Sequence, residues 1–479
     1  MRRPEARIVA PALVALALFV FVPTALAGVD GRVLGDYLFE AIESRAIFLT
    51  TVYEEDGALY VRADITDDPG ELTPVKSEKD AYSVVFRRGG NFKIWFSEPK
   101  SGSFTKLRLK SNTTGWQAEG VRLEPESAKL RDRYGVQSSP YAYREPVALR
   151  DGLKTGSVEG SDINAVLLCQ AMDDIYANHD YMHSLLIVKD GVLVFEEYMN
   201  GCDPARLHRV QSVTKSFTST VVGLAIQEGL IGSVDDPIDE YLPEYAFLLE
   251  GKKKDVCIKH LLTMSAGFEW NEAETYYADP ARCDPHLAEA GDDYIRYVLE
   301  KPLVTEPGGV YYYNSGYPNI LGYIVERRAG GNILEFTYGR LFEPLGIKRC
   351  YWQNITGENK PGCAGGLRLT SRDLAKYGCL YLSEGNWDGK QLLPKEWVAA
   401  STAKHIDAVD GTGYGYLWKS IPVGELNIVF ASGTGGQYVA LIPSLDAVVV
   451  TTAKFSTDKA DVVAGLLLRY VVPALAGGQ

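Results

Sequence analysis

Ser212 and Lys215 stand three residues apart at the head of the stretch Q-S-V-T-K-S-F-T-S-T-V-V-G-L-A-I-Q-E-G, residues 211–229, which reads as a polar turn feeding an apolar helix. A serine hydroxyl is a weak nucleophile until a base takes its proton. Helical spacing puts the two side chains on one face, and burial lowers the pKa of a lysine toward that of a usable base. The helix N-terminus adds partial positive charge beside a developing oxyanion. The same S-x-x-K pattern begins at Ser97, Ser103, Ser401 and Ser456, and none of these leads into a long apolar helix. Ser97 and Ser103 fall in strand-like sequence, Ser401 precedes a polar loop, and Ser456 reads as the N-cap of a C-terminal helix.

A second constellation is P-G-G-V-Y-Y-Y-N-S-G-Y-P-N-I-L-G, residues 307–322, with a helix expected over 319–328. A tyrosine beside a serine–lysine pair can relay protons when the lysine's charge lowers its pKa. The competing role for three consecutive tyrosines is an aromatic core or rim. Spacing alone does not choose among them.

These segments, in this order, resemble the serine β-lactamase-like hydrolases: class C β-lactamases, D-Ala-D-Ala carboxypeptidases, related esterases and aminohexanoate-oligomer hydrolases. Q-S-V-T-K-S resembles the family's S-x-x-K. H-L-L-T-M-S-A-G-F, residues 260–268, resembles its "HLLTHTSGL", and P-G-G-V-Y-Y-Y-N-S-G resembles its "PGxxFxYSN". G-G-L-R-L-T-S-R-D-L-A-K-Y-G, from Gly365, resembles a stretch of its esterase and amide-hydrolase branch. A-S-G-T-G-G-Q, from Ala431, lies where the family carries K-T-G or H-x-G. The resemblance implies Ser212 as nucleophile, with Lys215 and Tyr313 sharing the acid–base work. It implies an oxyanion hole from the Ser212 N–H and one N–H of the turn spanning Gly433 and Gly435, with Ser315 and Ser432 at the substrate. His260, Gly365 and Gly366 read as structural, and Thr370 with Asp373 as a capping box.

Two departures bear on substrate. Ser315 stands where many relatives have an asparagine, and Ser432-Gly433-Thr434 replaces K-T-G, removing a cation suited to a substrate carboxylate. Both favour an ester or small amide over a β-lactam. D-Ala-D-Ala carboxypeptidase or β-lactamase activity is the alternative within the class. A catalytically weak peptidoglycan- or ligand-binding protein is the alternative outside it.

The elements that must position these residues follow from texture. Residues 161–479 read as an α+β domain, which the resemblance implies is of β-lactamase/transpeptidase type. An amphipathic helix follows Asp162, then two strands joined at Asp190-Gly191, a strong hairpin signal. Three more strands and a closing helix (458–471) return at the far end. One antiparallel sheet built from both termini, with the terminal helices packed on it and a helical lobe inserted, places the cleft between lobe and sheet. Residues 28–126 alternate apolar and polar like a small β-rich domain, with a short helix expected at L-G-D-Y-L-F-E-A-I-E and a hairpin at Arg88-Gly89-Gly90. Trp95, Phe96 and Trp116 are expected in its core. Residues 127–160 read as a linker or a strap lying on the next domain.

Residues 1–27 have the layout of an export signal: Arg2, Arg3 and Arg7, an apolar run, then Ala25-Leu26-Ala27. An uncleaved anchor is the alternative, since 8–27 carry no charge and can just span a bilayer. A periplasmic or extracellular enzyme is therefore expected, without stable membrane insertion once the signal is cleaved. The net charge of −13 excludes a nucleic-acid footprint. No C-x-x-C, H-E-x-x-H or phosphate-loop motif occurs, so neither metal nor cofactor is expected. The expected partner is a small ester, amide or peptide-like substrate. The seven cysteines are expected mostly as small buried residues, although Cys350 and Cys363 could close a short loop.

Overall fold

A computed structural model of the chain describes residues 140–159, 161–272, 283–355, 360–456 and 459–477, together with strands between 35 and 122. The export segment, the Arg88-Gly89-Gly90 turn and Trp116 lie outside the described residues.

Helix α1 (Ala165–Asn178) opens the large unit, capped by Asn164, whose side chain accepts from the amides of Val166 and Leu167. Strands β1 (Met182–Lys189) and β2 (Val192–Tyr198) follow as an antiparallel pair. Asp190 and Gly191 both adopt positive φ, 51° and 72°, as a two-residue turn between twisted strands requires. A short strand β3 (His208–Arg209) leads into the long helix α2 (Val213–Gln227). After the inserted helical lobe, which includes α3 (Gly316–Ala329), come β4 (Leu367–Leu369) and α4 (Ser371–Leu382). Strands β5 (Lys419–Val423), β6 (Leu426–Gly433), β7 (Gln437–Ile442) and β8 (Ala447–Ala453) and helix α5 (Ala460–Leu466) complete the unit.

The sheet is built from both ends of this region. β1 lies between β2 and β8, and the order continues β7, β6, β5. The strands are rich in Val, Ile and Leu because both faces are covered. One face carries a core with Phe217, Val221 and Leu374 from α2 and α4. The other packs Leu168, Met172 and Ile175 of α1 with Val463 and Leu466 of α5. This is the expected architecture of sheet, terminal helices and inserted lobe. The closing helix starts later than expected: Lys459, not Ser456, is at its N-cap, without a side-chain hydrogen bond.

Residues 140–155 lie against the sheet. Tyr141 and Arg144 both bond the buried Glu197 carboxylate, and Lys154–Thr155 pairs in parallel with β2. Arg372 of α4 ties the same stretch down through Glu196, Asp151 and the Val147 carbonyl.

Between 35 and 122 the described strands form a second antiparallel sheet. The stretch expected as a short helix is a strand, Gly35–Ala41, paired to Ala46–Glu55 and Gln117–Arg122. Its central Tyr-Leu-Phe favours a pleated surface, and pairing on both edges supplies hydrogen bonds that so short a helix could not. Phe96 is buried against Tyr82 in an edge-on ring contact of 5.5 Å.

Candidate active site

The site is built where β3 hands over to α2. Gln211 has φ 50°, a left-handed conformation costly for a residue with a Cβ. This kink turns the chain so that Ser212 becomes the N-cap of α2. The Ser212 side chain makes no capping bond, which leaves the hydroxyl for other partners. The turn is held instead by the Thr214 hydroxyl, which donates to the Gln211 carbonyl at 2.6 Å.

Two groups meet Ser212 Oγ. Lys215 Nζ donates to it at 2.9 Å and also to the Ala364 carbonyl at 2.8 Å. Tyr313 donates its phenol at 2.8 Å. The ammonium further sits 4.7 Å from the centre of the Tyr313 ring. Lys215 is only 3 % exposed, so its charge is felt in a low-dielectric surrounding. Ser212, Lys215 and Tyr313, some hundred positions apart at the extremes, thus converge on one oxygen.

The three tyrosines separate by environment. Tyr311 is buried against Tyr414 with ring centres 5.0 Å apart, and burial pushes its pKa up. Tyr312 is half-buried and its amide bonds the Met264 carbonyl. Tyr313 alone among them has a hydroxyl bonded to Ser212.

Ser315 lines the cavity but its hydroxyl is directed to Glu272. The Ser315 Oγ donates to Oε1 at 2.6 Å and its amide to Oε2 at 2.9 Å. Trp270 Nε1 donates to the same carboxylate at 2.8 Å. Glu272, 8 % exposed, was not singled out by the sequence. It lies among Glu269 and Glu274 in a stretch that looks like a solvated acidic loop, and only its alternation with Phe268 and Trp270 hints at burial. Asn319 of α3 supports the same corner, donating to the Ser315 carbonyl and accepting from the Cys363 amide.

Gly433 ends β6 directly against the nucleophile. A Cβ there would lie 2.4 Å from the Val210 carbonyl oxygen and 3.1 Å from the Ser212 nitrogen. Only glycine allows this approach. Ser432 and Thr434 also border the cavity. Gly435 and Gly436 turn the chain with φ of 94° and 101°. Gly435 packs against the Lys454 carbonyl, not against Ser212.

The cavity around these groups measures about 1260 Å³. Besides Lys215, two cationic side chains border it, Arg209 and Lys419, and Lys419 Nζ is paired to Asp410 at 2.6 Å. Hydrogen bonds from Lys419 and Thr412 hold the Asp410 carboxyl below the usual range despite its partial burial.

His260 has a structural place. Its Nδ1 accepts the Cys257 amide in a capping box at the start of a short helix, and burial lowers its pKa. Thr370 caps α4 and bonds Asp373, which in turn pairs with Lys376. Of the other S-x-x-K serines, neither Ser401 nor Ser456 lines the cavity.

A helix-borne serine with a lysine one turn on, facing a tyrosine across a cleft between sheet and helical lobe, is the layout of a β-lactamase-type hydrolase. The chain belongs to the β-lactamase family of hydrolases, matching it over residues 180–471. It is 28 % identical over 289 residues to the 6-aminohexanoate-dimer hydrolase of Paenarthrobacter ureafaciens, covering 56 % of this chain and 71 % of that one. It is 29 % identical over 168 residues to the lovastatin esterase of Penicillium rubens, covering 31 % and 40 %. Among solved structures, a class C β-lactamase mutant superposes with TM-score 0.53 at 15 % identity, over 66 % of this chain and 99 % of that one. The octameric penicillin-binding protein homologue of Pyrococcus abyssi superposes with TM-score 0.52 at 22 % identity, over 65 % and 77 %.

Proposed function

We propose that this chain is an exported serine hydrolase that cleaves an ester or a small amide through an acyl-enzyme on Ser212. The observation that carries the reading is the pair of hydrogen bonds converging on Ser212 Oγ, from Lys215 at 2.9 Å and Tyr313 at 2.8 Å. Ser212 Oγ forms the bond to the acyl carbon as its proton passes to the member of this pair that is unprotonated, the Lys215 amine or the Tyr313 phenolate. Tyr313, on the open side of the serine, returns a proton to the leaving alcohol or amine. Water then attacks the acyl carbon and releases the acid, with the same groups working in reverse. The Ser212 amide and one amide of the turn that begins at Gly433 would receive the oxyanion, a reading supported by the close approach of Gly433 to the Ser212 nitrogen. The names of the relatives support ester and amide substrates. The Lys419 charge is spent on Asp410, which argues against a dedicated site for the carboxylate of a β-lactam or a D-Ala terminus.

The test compares the chain with Ser212→Ala for labelling by a fluorophosphonate, turnover of a short nitrophenyl ester, turnover of a fluorescent penicillin and cleavage of a D-Ala-D-Ala peptide. Labelling and ester turnover that vanish in the variant are expected. Penicillin turnover faster than ester turnover would move the reading to β-lactamase. Absence of labelling by every probe would move it to a binding protein.

A further inference from the structure

Behind the nucleophile segment lies a side-chain cluster that the proposed reaction does not use. His183 is on β1, Cys202 follows β2, and His208 is on β3, four residues before Ser212. One ligand atom from each lies within 4.8 Å of the others. The two imidazole rings stand 5.3 Å apart between centres. His208 is 3 % exposed, and its Nε2 is buried with no hydrogen-bond partner among the described residues. A buried polar atom without a partner is destabilising and calls for a reason. A space of about 20 Å³ adjoins both histidines, room for one atom the size of a water oxygen.

We propose that His183, Cys202 and His208 bind one soft monovalent metal ion, Cu(I) by its chemistry. Two imidazoles and a thiolate are a ligand set for thiophilic metals. The charge that each ion adds on loading selects among them. Arg206, Arg209, Arg368 and Lys454 border the same space. A divalent ion that displaces the thiol proton adds one positive charge to this neighbourhood. Cu(I) adds none, because one Cu⁺ enters as one H⁺ leaves. Metal–ligand distances of about 2.0–2.3 Å require the side chains to draw in by about 1 Å, which rotation of three separate side chains provides. The bound ion would tie β1, the loop after β2 and β3 together, just ahead of the kink that presents Ser212.

The test uses the full chain, reduced and kept anaerobic, loaded with Cu(I) as its acetonitrile complex or with Zn²⁺, then desalted and counted by mass spectrometry. One copper per chain is expected, with one sulfur and two nitrogen neighbours in the copper absorption edge. Cys202→Ser and His183→Asn should each weaken copper retention against bathocuproine disulfonate by at least about 10-fold, while Cys169→Ser should leave it unchanged. No retained copper in the wild type, or equal retention in Cys202→Ser, overturns the site. Tighter binding of Zn²⁺ than of Cu(I) overturns the assignment of a monovalent ion. Where the variants lose their circular dichroism, the wild-type edge decides, and a copper without a sulfur neighbour counts against the proposal.

Discussion

Tyr313 and Ser212 are joined by a single hydrogen bond of 2.8 Å, so removing one oxygen atom isolates its role. Tyr313→Phe should lower ester kcat by about 10²–10⁴-fold, the usual scale for a general acid–base group, with little change in KM. Tyr312→Phe, whose ring is not bonded to Ser212, should stay near wild type. Steady-state kinetics on a nitrophenyl ester separates the two. Glu272 poses a different question at the same scale. Its carboxylate accepts from Trp270 and twice from Ser315. Glu272→Gln must turn an amide group toward one of these donors, leaving it without an acceptor. A loss of about 1–3 kcal/mol in urea denaturation is expected, together with slower turnover because Ser315 and the Tyr313 turn loosen together.

Among elements, β6 and α3 each carry a position where the backbone or burial decides the outcome. Gly433→Ala places a Cβ 2.4 Å from the Val210 carbonyl, a backbone atom that cannot step aside. The end of β6 must then move away from Ser212. Ester kcat/KM should fall about 10²-fold or more, as for loss of an oxyanion donor, while the distant sheet strands keep their thermal transition within a few degrees. On α3, burial raises the Glu326 pKa from 4.5 to about 7. The native state therefore binds this proton more tightly than the unfolded chain does. The Glu326 contribution to stability is full below pH 4.5, declines between pH 4.5 and 7, and is gone above pH 7. The span is on the order of 3 kcal/mol. Glu326→Gln should flatten that decline, giving a variant that gains on wild type as pH rises from 5 to 8 in denaturant titrations.

At the scale of the whole molecule, all seven cysteines are thiols, and only Cys169 is not buried. Cys350 and Cys363 form no bridge, and burial pushes the Cys350 thiol up to about 12. An aromatic disulfide reagent at pH 8 should therefore react quickly with about one thiol in the native protein and with all seven in guanidinium. Rapid reaction of several native thiols would contradict this packing. Core packing explains why: Cys363 sits against Gly322 of α3, and Cys202, Cys283, Cys350 and Cys379 are buried in the apolar core shared by sheet and lobe.

The sequence by itself determined what local physics can write. The Asp190-Gly191 turn, the Val- and Ile-rich strands of both ends, the Thr370 cap and the apolar run behind Ser212 each follow from a few neighbouring residues. Each reappears in the structure. Local physics failed where pairing overrode it, as at Gly35–Ala41, and where a helix could begin at several polar residues, as near Ser456. Lys215 is legible from its spacing to Ser212 on one helix, whereas Tyr313 is singled out from its two neighbours only through a family resemblance, because it meets the serine from an element a hundred residues away. Glu272, the Ala364 carbonyl and the His183–Cys202–His208 cluster were invisible for the same reason. A carboxylate, a peptide oxygen and an imidazole acquire a role from what surrounds them, and burial, distance and direction are fixed only when the sheet closes on the lobe.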